Sequence, residues 1–320
     1  MTIPDIQLSI ITPAYNEAAN LPLLYRRIEK VLKDTAIGWE WIIVDDHSRD
    51  DTFEVVSEIS GRDSHVKGIR LARNAGSHTA IKCGMDFCRG RCAVVMAADL
   101  QDPPETIPDL IGKWREGAKI VWAVREQRQG EKASTVGLSR LYYFLMKKIV
   151  GISEMPATGA DFFLIDAQVI DALKQFNETH VSIFALITWL GFQQDFILYS
   201  KEARAHGESG WTLKKKLKLL ADSVTAFSYF PIRFMSYLGF GVAICGFTYA
   251  IVTFVRALMG LPIQGWASLM CVVLVIGGIQ MIMLGILGEY LWRTLDETKK
   301  RPKYLIEKTA ASPSRQDNIS

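Results

Sequence analysis

Two long stretches without a charged side chain constrain this sequence more than any other feature. Phe234 to Val255 runs for about 22 residues with no Asp, Glu, Lys or Arg, and a second such stretch runs from Ala257 to Gly288. A helix of that length crosses about 30 Å of hydrocarbon. Soluble helices rarely stay uncharged so long, because one face meets water; a buried core hairpin is the alternative. Gly260-Leu261-Pro262 interrupts the second stretch, so the pattern predicts a reversal there, with spans at about 234–256 and 266–288. Lys214, Lys215, Lys216, Lys218 and Arg233 precede the first span, and Arg293, Lys299, Lys300, Arg301 and Lys303 follow the second. Only Arg256 flanks the turn between them. This charge pattern predicts two spans in an inner or plasma membrane, with the N-terminal domain and both termini cytoplasmic. No signal-peptide pattern precedes Leu8, which agrees with that orientation.

The chain has 320 residues, 49% of them hydrophobic and 22% charged. That balance is too apolar for an ordinary soluble enzyme and too charged for spans from end to end. It also excludes intrinsic disorder, collagen and small disulfide scaffolds. A formal net charge of +3 gives no basis for wholesale nucleic-acid binding. The five cysteines (Cys83, Cys88, Cys92, Cys245, Cys271) are odd in number and form no Cys-x-x-Cys pair, so they read as reduced thiols rather than a disulfide framework or zinc site. The resulting division is a 1–210 N-terminal domain, a 211–232 interfacial segment, a 233–292 membrane hairpin and a 293–320 basic tail. Residues 310–320 read as disordered.

The first 200 residues alternate strand, polar turn and helix. Strands are expected at Leu8–Ile11, Trp39–Val44, Val66–Leu71 and Cys92–Met96, with a helix from Leu21 to Val31 and another from about Asp51. This order predicts an α/β, Rossmann-like, mostly parallel sheet, with ligands beyond the carboxyl ends of its strands. No Gly-x-Gly-x-x-Gly follows the first strand and no Gly-Lys-Ser/Thr loop occurs, which disfavours dinucleotide oxidoreductases and phosphate-loop ATPases.

Four turns carry the chemistry: Thr12-Pro13-Ala14-Tyr15-Asn16-Glu17, Asp45-Asp46-His47-Ser48, Asp99-Leu100-Gln101-Asp102-Pro103-Pro104 and Thr158-Gly159-Ala160-Asp161. With them, residues 7–230 strongly resemble glycosyltransferase family 2 and its nucleotide-sugar-binding GT-A fold. The Arg73-Asn74-x-Gly76 loop, the Asp-Leu-Gln-Asp-Pro-Pro turn and the two spans narrow the resemblance to polyprenyl-phosphate glycosyltransferases, nearest the bactoprenol glucosyltransferase type, with dolichol-phosphate mannose synthases as relatives. The resemblance implies that Pro13, Tyr15 and Glu17 line the base and ribose pocket and that Asp46 bonds the nucleoside, while Asp45 holds its turn. Arg73, Gly76, Asp99 and Gln101 join the nucleotide-sugar set. An N-cap cluster is the alternative for residues 45–48.

A departing nucleoside diphosphate develops negative charge that a hard divalent ion, Mg2+ or Mn2+, neutralises through oxygen ligands. The family's metal motif is usually Asp-x-Asp followed by Leu-Gln. Here Ala97 stands in its first position, leaving Asp99 and Gln101 as implied ligands, with Asp102 as an additional candidate. Helix capping is the alternative for both aspartates. Asp161 stands where the family places its catalytic carboxylate, as base or orienting group, and a structural turn is the alternative. A polyprenyl phosphate has a second pKa near 6, so at cytoplasmic pH it is largely a dianionic nucleophile. Direct displacement would invert the anomeric centre.

Arg204, in Arg204-Ala205-His206-Gly207-Glu208-Ser209-Gly210-Trp211, resembles the family's phosphate-gripping residue, since a guanidinium offers paired donors to phosphate. Leu213, Leu217, Leu220, Val224 and Phe227 have helical spacing beside the lysine cluster, as in an interfacial helix on anionic lipid. An ordinary docked amphipathic helix is the alternative. Glucose from UDP-glucose is the first-choice donor by resemblance; GDP-mannose, UDP-N-acetylglucosamine and modified arabinose donors stay open. A homo-oligomer would match relatives that assemble through their spans. A processive polysaccharide synthase is disfavoured by the missing Gln-x-x-Arg-Trp motif, and a lipid transporter or scaffold by spans without ionisable residues.

Overall fold

The computed structural model describes residues 6–33, 35–126, 161–176, 182–202, 230–259 and 265–312. Strands β1 (Leu8–Ala14), β2 (Trp39–Asp45), β3 (Val66–Leu71) and β4 (Cys92–Val95) pair in parallel, with β1 flanked by β2 and β4. Every residue of β2 is buried, as expected of a central parallel strand covered on both faces. Helices α1 (Leu21–Lys33), α2 (Thr52–Arg62) and α3 (Ser77–Phe87) make the crossovers. Leu21, Leu24, Ile28 and Leu32 of α1 are buried at spacings of three and four, so one helical stripe covers the sheet. On α3, a Cβ at Gly84 would collide with Ile11, so this glycine lets the helix lie close on β1.

A short 3-10 turn and α4 (Ile107–Arg115) lead to β5 (Ile120–Arg125). Next come β6 (Phe163–Asp166), α5 (Ala167–Lys174), α6 (Ile183–Trp189) and β7 (Gln194–Tyr199). β6 lies antiparallel between β4 and β5, and β7 extends the sheet parallel to β5. The strand order is β7-β5-β6-β4-β1-β2-β3-β8, where β8 is Ile306–Ala311. The sheet is therefore mixed but parallel through its centre, as the alternation of elements predicts. The four expected strands are present. β5, β7 and β8 are additions that the sequence pattern leaves out.

β8 overturns part of the tail reading. It pairs antiparallel with β3, from Lys67 opposite Ala311 to Leu71 opposite Ile306. Ala310 and Ala311 are strand residues rather than the start of a disordered end, because the free edge of β3 supplies the backbone partners. Residues 313–320 lie outside the described residues.

Two helices precede β8: α7 (Phe230–Leu258) and α8 (Trp266–Thr298). Both are long and apolar enough to cross a membrane, over Ile232–Arg256 and Val275–Thr298. Phe247 and Met281 stand 73% and 72% exposed, as side chains facing hydrocarbon would. α8 continues beyond the expected end at 288. Glu289, half-exposed, and Arg293, largely covered, form an ion pair at 2.8 Å one turn apart on this helix. Most of the expected interfacial segment, 211–229, lies outside the described residues.

Candidate active site

The parallel strands leave in opposite directions from β1: β2 and β3 on one side, β4 on the other. Such a switch in strand order opens a crevice at the carboxyl ends, where chain crossovers diverge. The turns after β1, β2 and β4 meet there. The Asp46 amide donates to the Ala14 carbonyl at 2.8 Å, and the Met96 amide to the Ile11 carbonyl at 3.1 Å. Each turn holds a non-glycine residue at positive φ: Asn16 at 57°, His47 at 60° and Leu100 at 61°. Left-handed backbone costs roughly 1–2 kcal/mol per residue, most awkwardly for a bulky leucine. Three such residues at one sheet end show that the surroundings hold the turns in shape.

In the first turn Pro13 is half-buried and Tyr15 is exposed. The Asn16 amide donates to Ser48 Oγ, and the Arg49 amide to Asn16 Oδ1, both at 2.9 Å. The Glu17 amide donates to Thr52 Oγ1 at 2.9 Å, and Asn20 Nδ2 to the Glu17 carboxylate at 2.5 Å. The second turn is fixed from below. Asp45 is fully buried and accepts the Ser48 amide at 2.9 Å and Arg70 Nη1 at 2.7 Å. It holds the turn, as its sequence position suggests.

Asp46 does more than the sequence indicates. It is buried, and its two oxygens accept the Ala75 and Gly76 amides at 2.7 and 2.8 Å. Gly76 has φ 90°, a conformation L side chains rarely adopt, and it precedes the first turn of α3. Asp46 therefore latches the 73–76 loop across the crevice, leaving Arg73 exposed at its rim. Burial pushes the Asp46 carboxyl above the usual carboxylate range, and the two amides pull it partly back.

After β4, Asp99 is 6% exposed and accepts the Gln101 amide at 3.2 Å. Gln101 is tied to the segment leading to Arg204: the Glu202 amide donates to the Gln101 carbonyl at 2.9 Å. Arg27 clamps that segment from α1, reaching Glu105 at 2.6 Å and Glu202 at 2.8 Å. Arg204 and Thr158–Ala160 lie outside the described residues.

Asp161 stands two residues before β6, more than half exposed, with Arg125 Nη2 at 3.6 Å. Arg125 ends β5 and also engages Tyr199 at the end of β7. The Tyr199 hydroxyl donates to Asp102 Oδ1 at 2.7 Å, and Lys201 Nζ stands 3.7 Å from the same oxygen. Asp102 is fully buried, and its Oδ2 accepts no hydrogen bond among the described residues. Burial raises its carboxyl above the usual range despite Lys201. His78, near the start of α3, accepts the Ile183 amide on Nδ1 at 3.2 Å and meets Phe184 edge-on. Burial lowers its imidazole pKa, so the ring is neutral near pH 7 with its proton on Nε2.

Sequence reasoning missed Arg125, Tyr199, Lys201 and His78. The available signal for Arg125 was a charge closing an apolar run, as Asp45 closes β2. The others lie within or just beyond unremarkable segments.

A mixed sheet with this crevice, feeding two membrane-length helices, defines a GT-A-like enzyme joined to a C-terminal helical hairpin. The chain belongs to glycosyltransferase family 2, whose model, described as glycosyl transferase family 2, matches residues 9–173. Residues 230–293 match the GtrB C-terminal hairpin. An uncharacterized glycosyltransferase, YkcC, of Bacillus subtilis is 38% identical, covering 95% of this chain and 94% of its own. A prophage bactoprenol glucosyl transferase homolog of Escherichia coli is 32% identical, covering 95% and 99%. The crystal structure of glucosyl-3-phosphoglycerate synthase from Mycobacterium tuberculosis with Mn2+, UDP and phosphoglyceric acid shares the fold. It has a TM-score of 0.51 at 19% identity, over 69% of this chain and 78% of that one.

Proposed function

We propose that the chain transfers one sugar from a nucleotide donor to a polyprenyl phosphate at the cytoplasmic face of a membrane, with inversion. Glucose from UDP-glucose is the first-choice donor and undecaprenyl phosphate the first-choice acceptor. The observation that carries this reading is β8, which ties the end of an apolar helical hairpin back onto the sheet that forms the crevice. A site so tethered works at the headgroup level, where a lipid phosphate lies while its tail stays in hydrocarbon. The same pairing supports two crossings, since both ends of the hairpin must emerge on the side of the catalytic domain. Relatives named as bactoprenol glucosyl transferases support the lipid acceptor.

In this reading Pro13, Tyr15 and Glu17 receive the nucleoside. Asp46 shapes their pocket by holding the Arg73–Gly76 loop and offers its remaining lone pairs to the nucleoside. Arg204 grips a phosphate. Asp161, held by Arg125, orients the acceptor phosphate against the anomeric carbon or takes its last proton. The phosphate oxygen forms the new glycosidic bond as the bond to the nucleoside diphosphate breaks, so no glycosyl-enzyme intermediate arises.

The described residues contain no cluster of three His, Cys, Asp or Glu side chains arranged for a metal. Asp99 and Gln101 nevertheless supply hard oxygen donors on one turn, and the orphaned Asp102 Oδ2 lies in the same turn. That set fits a Mg2+ or Mn2+ ion completed by diphosphate oxygens and water. Such an ion would neutralise the charge that develops on the leaving diphosphate.

The test is a donor screen on purified protein in lipid nanodiscs with undecaprenyl phosphate and Mg2+ or Mn2+. Label passing from a nucleotide sugar into a solvent-extractable, mild-acid-labile lipid is the expected result. Label in an insoluble polymer would mark a processive synthase, and no transfer from any donor would overturn the reading.

A further inference from the structure

Glu307 follows both apolar helices in the chain, yet its carboxylate reaches the turn that carries Asp46. The segment around it is docked throughout its length. Lys303 Nζ donates to the Phe176 carbonyl at 3.3 Å, the Tyr304 hydroxyl to Asp86 Oδ2 at 2.8 Å, and the Ala72 amide to the Leu305 carbonyl at 2.8 Å. Arg70, on β3, shares its guanidinium three ways. Nη1 donates to Asp45 Oδ2 at 2.7 Å, Nη2 to the Ser48 carbonyl at 3.0 Å and Nε to Glu307 Oε2 at 3.1 Å. The same Glu307 oxygen stands 3.4 Å from His47 Nδ1. Phe53 packs against the guanidinium, 5.8 Å from its ring centroid.

A planar guanidinium bonded on all its edges is held in one orientation, and that orientation is what positions Asp45 and Ser48. Asp45 is fully buried, so Arg70 cannot swing away without leaving an uncompensated charge. Glu307 closes the third edge and borders His47, the residue at positive φ in the same turn. We infer that Glu307 is a positioning residue for the nucleotide side of the crevice: it acts through Arg70 and His47 on residues 45–48, so donor affinity depends on the docked β8. This inference rests on the reading of that turn as nucleotide-contacting.

The experiment uses the full-length protein in nanodiscs, comparing wild type with Glu307→Gln and Glu307→Asp. Glutamine is isosteric and leaves the backbone pairing of β8 intact. The Glu307–Arg70 pair is partly exposed, so the expected effect is modest. Dissociation constants for UDP and GDP should rise about three- to ten-fold in Glu307→Gln, with kcat at saturating donor within about two-fold of wild type. Amide exchange at residues 46–49 should quicken while β1 and β2 stay protected. Glu307→Asp should recover part of the affinity. Wild-type nucleotide affinity and turn exchange in Glu307→Gln would overturn the inference, as would faster exchange throughout the sheet. A wild type that binds neither nucleotide would overturn the donor reading of the turn. Continued response of turn exchange to Glu307→Gln would then identify that reading, not the Glu307–Arg70 coupling, as the failure.

Discussion

Replacing Asp46 with asparagine changes one atom in the latch between the second turn and the 73–76 loop. The aspartate accepts two backbone amides, one on each oxygen, at 2.7 and 2.8 Å. Asparagine keeps one acceptor and turns an NH2 group toward the other amide, donor against donor. A buried backbone N–H left without an acceptor costs about 1–3 kcal/mol, and the surviving bond loses its charge assistance. Relief of the burial cost that raises the Asp46 carboxyl offsets part of this. A net loss of about 2 kcal/mol in loop order corresponds to roughly a 30-fold rise in donor KM. If the loop contacts the donor, as proposed, kcat at saturating donor should change less than about three-fold. The assay is initial-rate kinetics with donor varied at saturating polyprenyl phosphate, paired with calorimetric nucleotide binding and a melting curve. A folded Asp46→Asn protein with wild-type donor KM and nucleotide affinity would refute the latch.

Asp99→Ala should lower kcat/KM by more than about 100-fold, because it removes the main carboxylate offered to a divalent ion; near-normal turnover at saturating Mg2+ would remove Asp99 from that role. Asp161→Asn should slow kcat with little change in nucleotide affinity, and full kcat with varied acceptor would leave Asp161 as a turn residue held by Arg125. The raised Asp102 carboxyl binds a proton more tightly in the folded state than its ordinary value of 3.8 allows. Its contribution to stability is therefore present below that value and is lost as pH rises through the folded value. The melting temperature of wild type relative to Asp102→Asn should accordingly fall with rising pH across that window, and a pH-independent difference would show that Asp102 does not titrate there.

The parallel centre of the sheet was legible because each strand is a short apolar run ended by a polar turn. Val66–Leu71 was readable to the residue. β8 gave no such signal. Its sequence, Ile306-Glu307-Lys308-Thr309-Ala310-Ala311, is largely exposed and forms a strand because β3 offers unpaired backbone groups. The turns after β1, β2 and β4 were readable because each gathers several polar residues in a few positions, while most of the fourth, at 158–161, lies outside the described residues. Arg125, Tyr199 and Lys201 were not, because they stand singly, at the ends of strands added beyond the antiparallel β6 or just past them. For Asp46, the sequence marked the position but could not reveal that its oxygens bond amides about 30 residues downstream.

The placement of β8 also sets an order of events during synthesis. Arg70 and Glu307 are 237 positions apart, with both membrane-length helices between them. At about 5–20 residues per second, β3 waits roughly 10–50 s for the strand that covers its edge. An uncovered edge strand is a template for pairing with another chain. The cover follows both helices in the chain, and under the proposed topology it reaches the correct side only if they cross twice. A chain inserted with one crossing delivers β8 to the far side of the bilayer and leaves β3 open, a difference that limited proteolysis at residues 66–71 can read. If the hairpin crosses twice, as proposed, completion of the sheet becomes a check on its insertion.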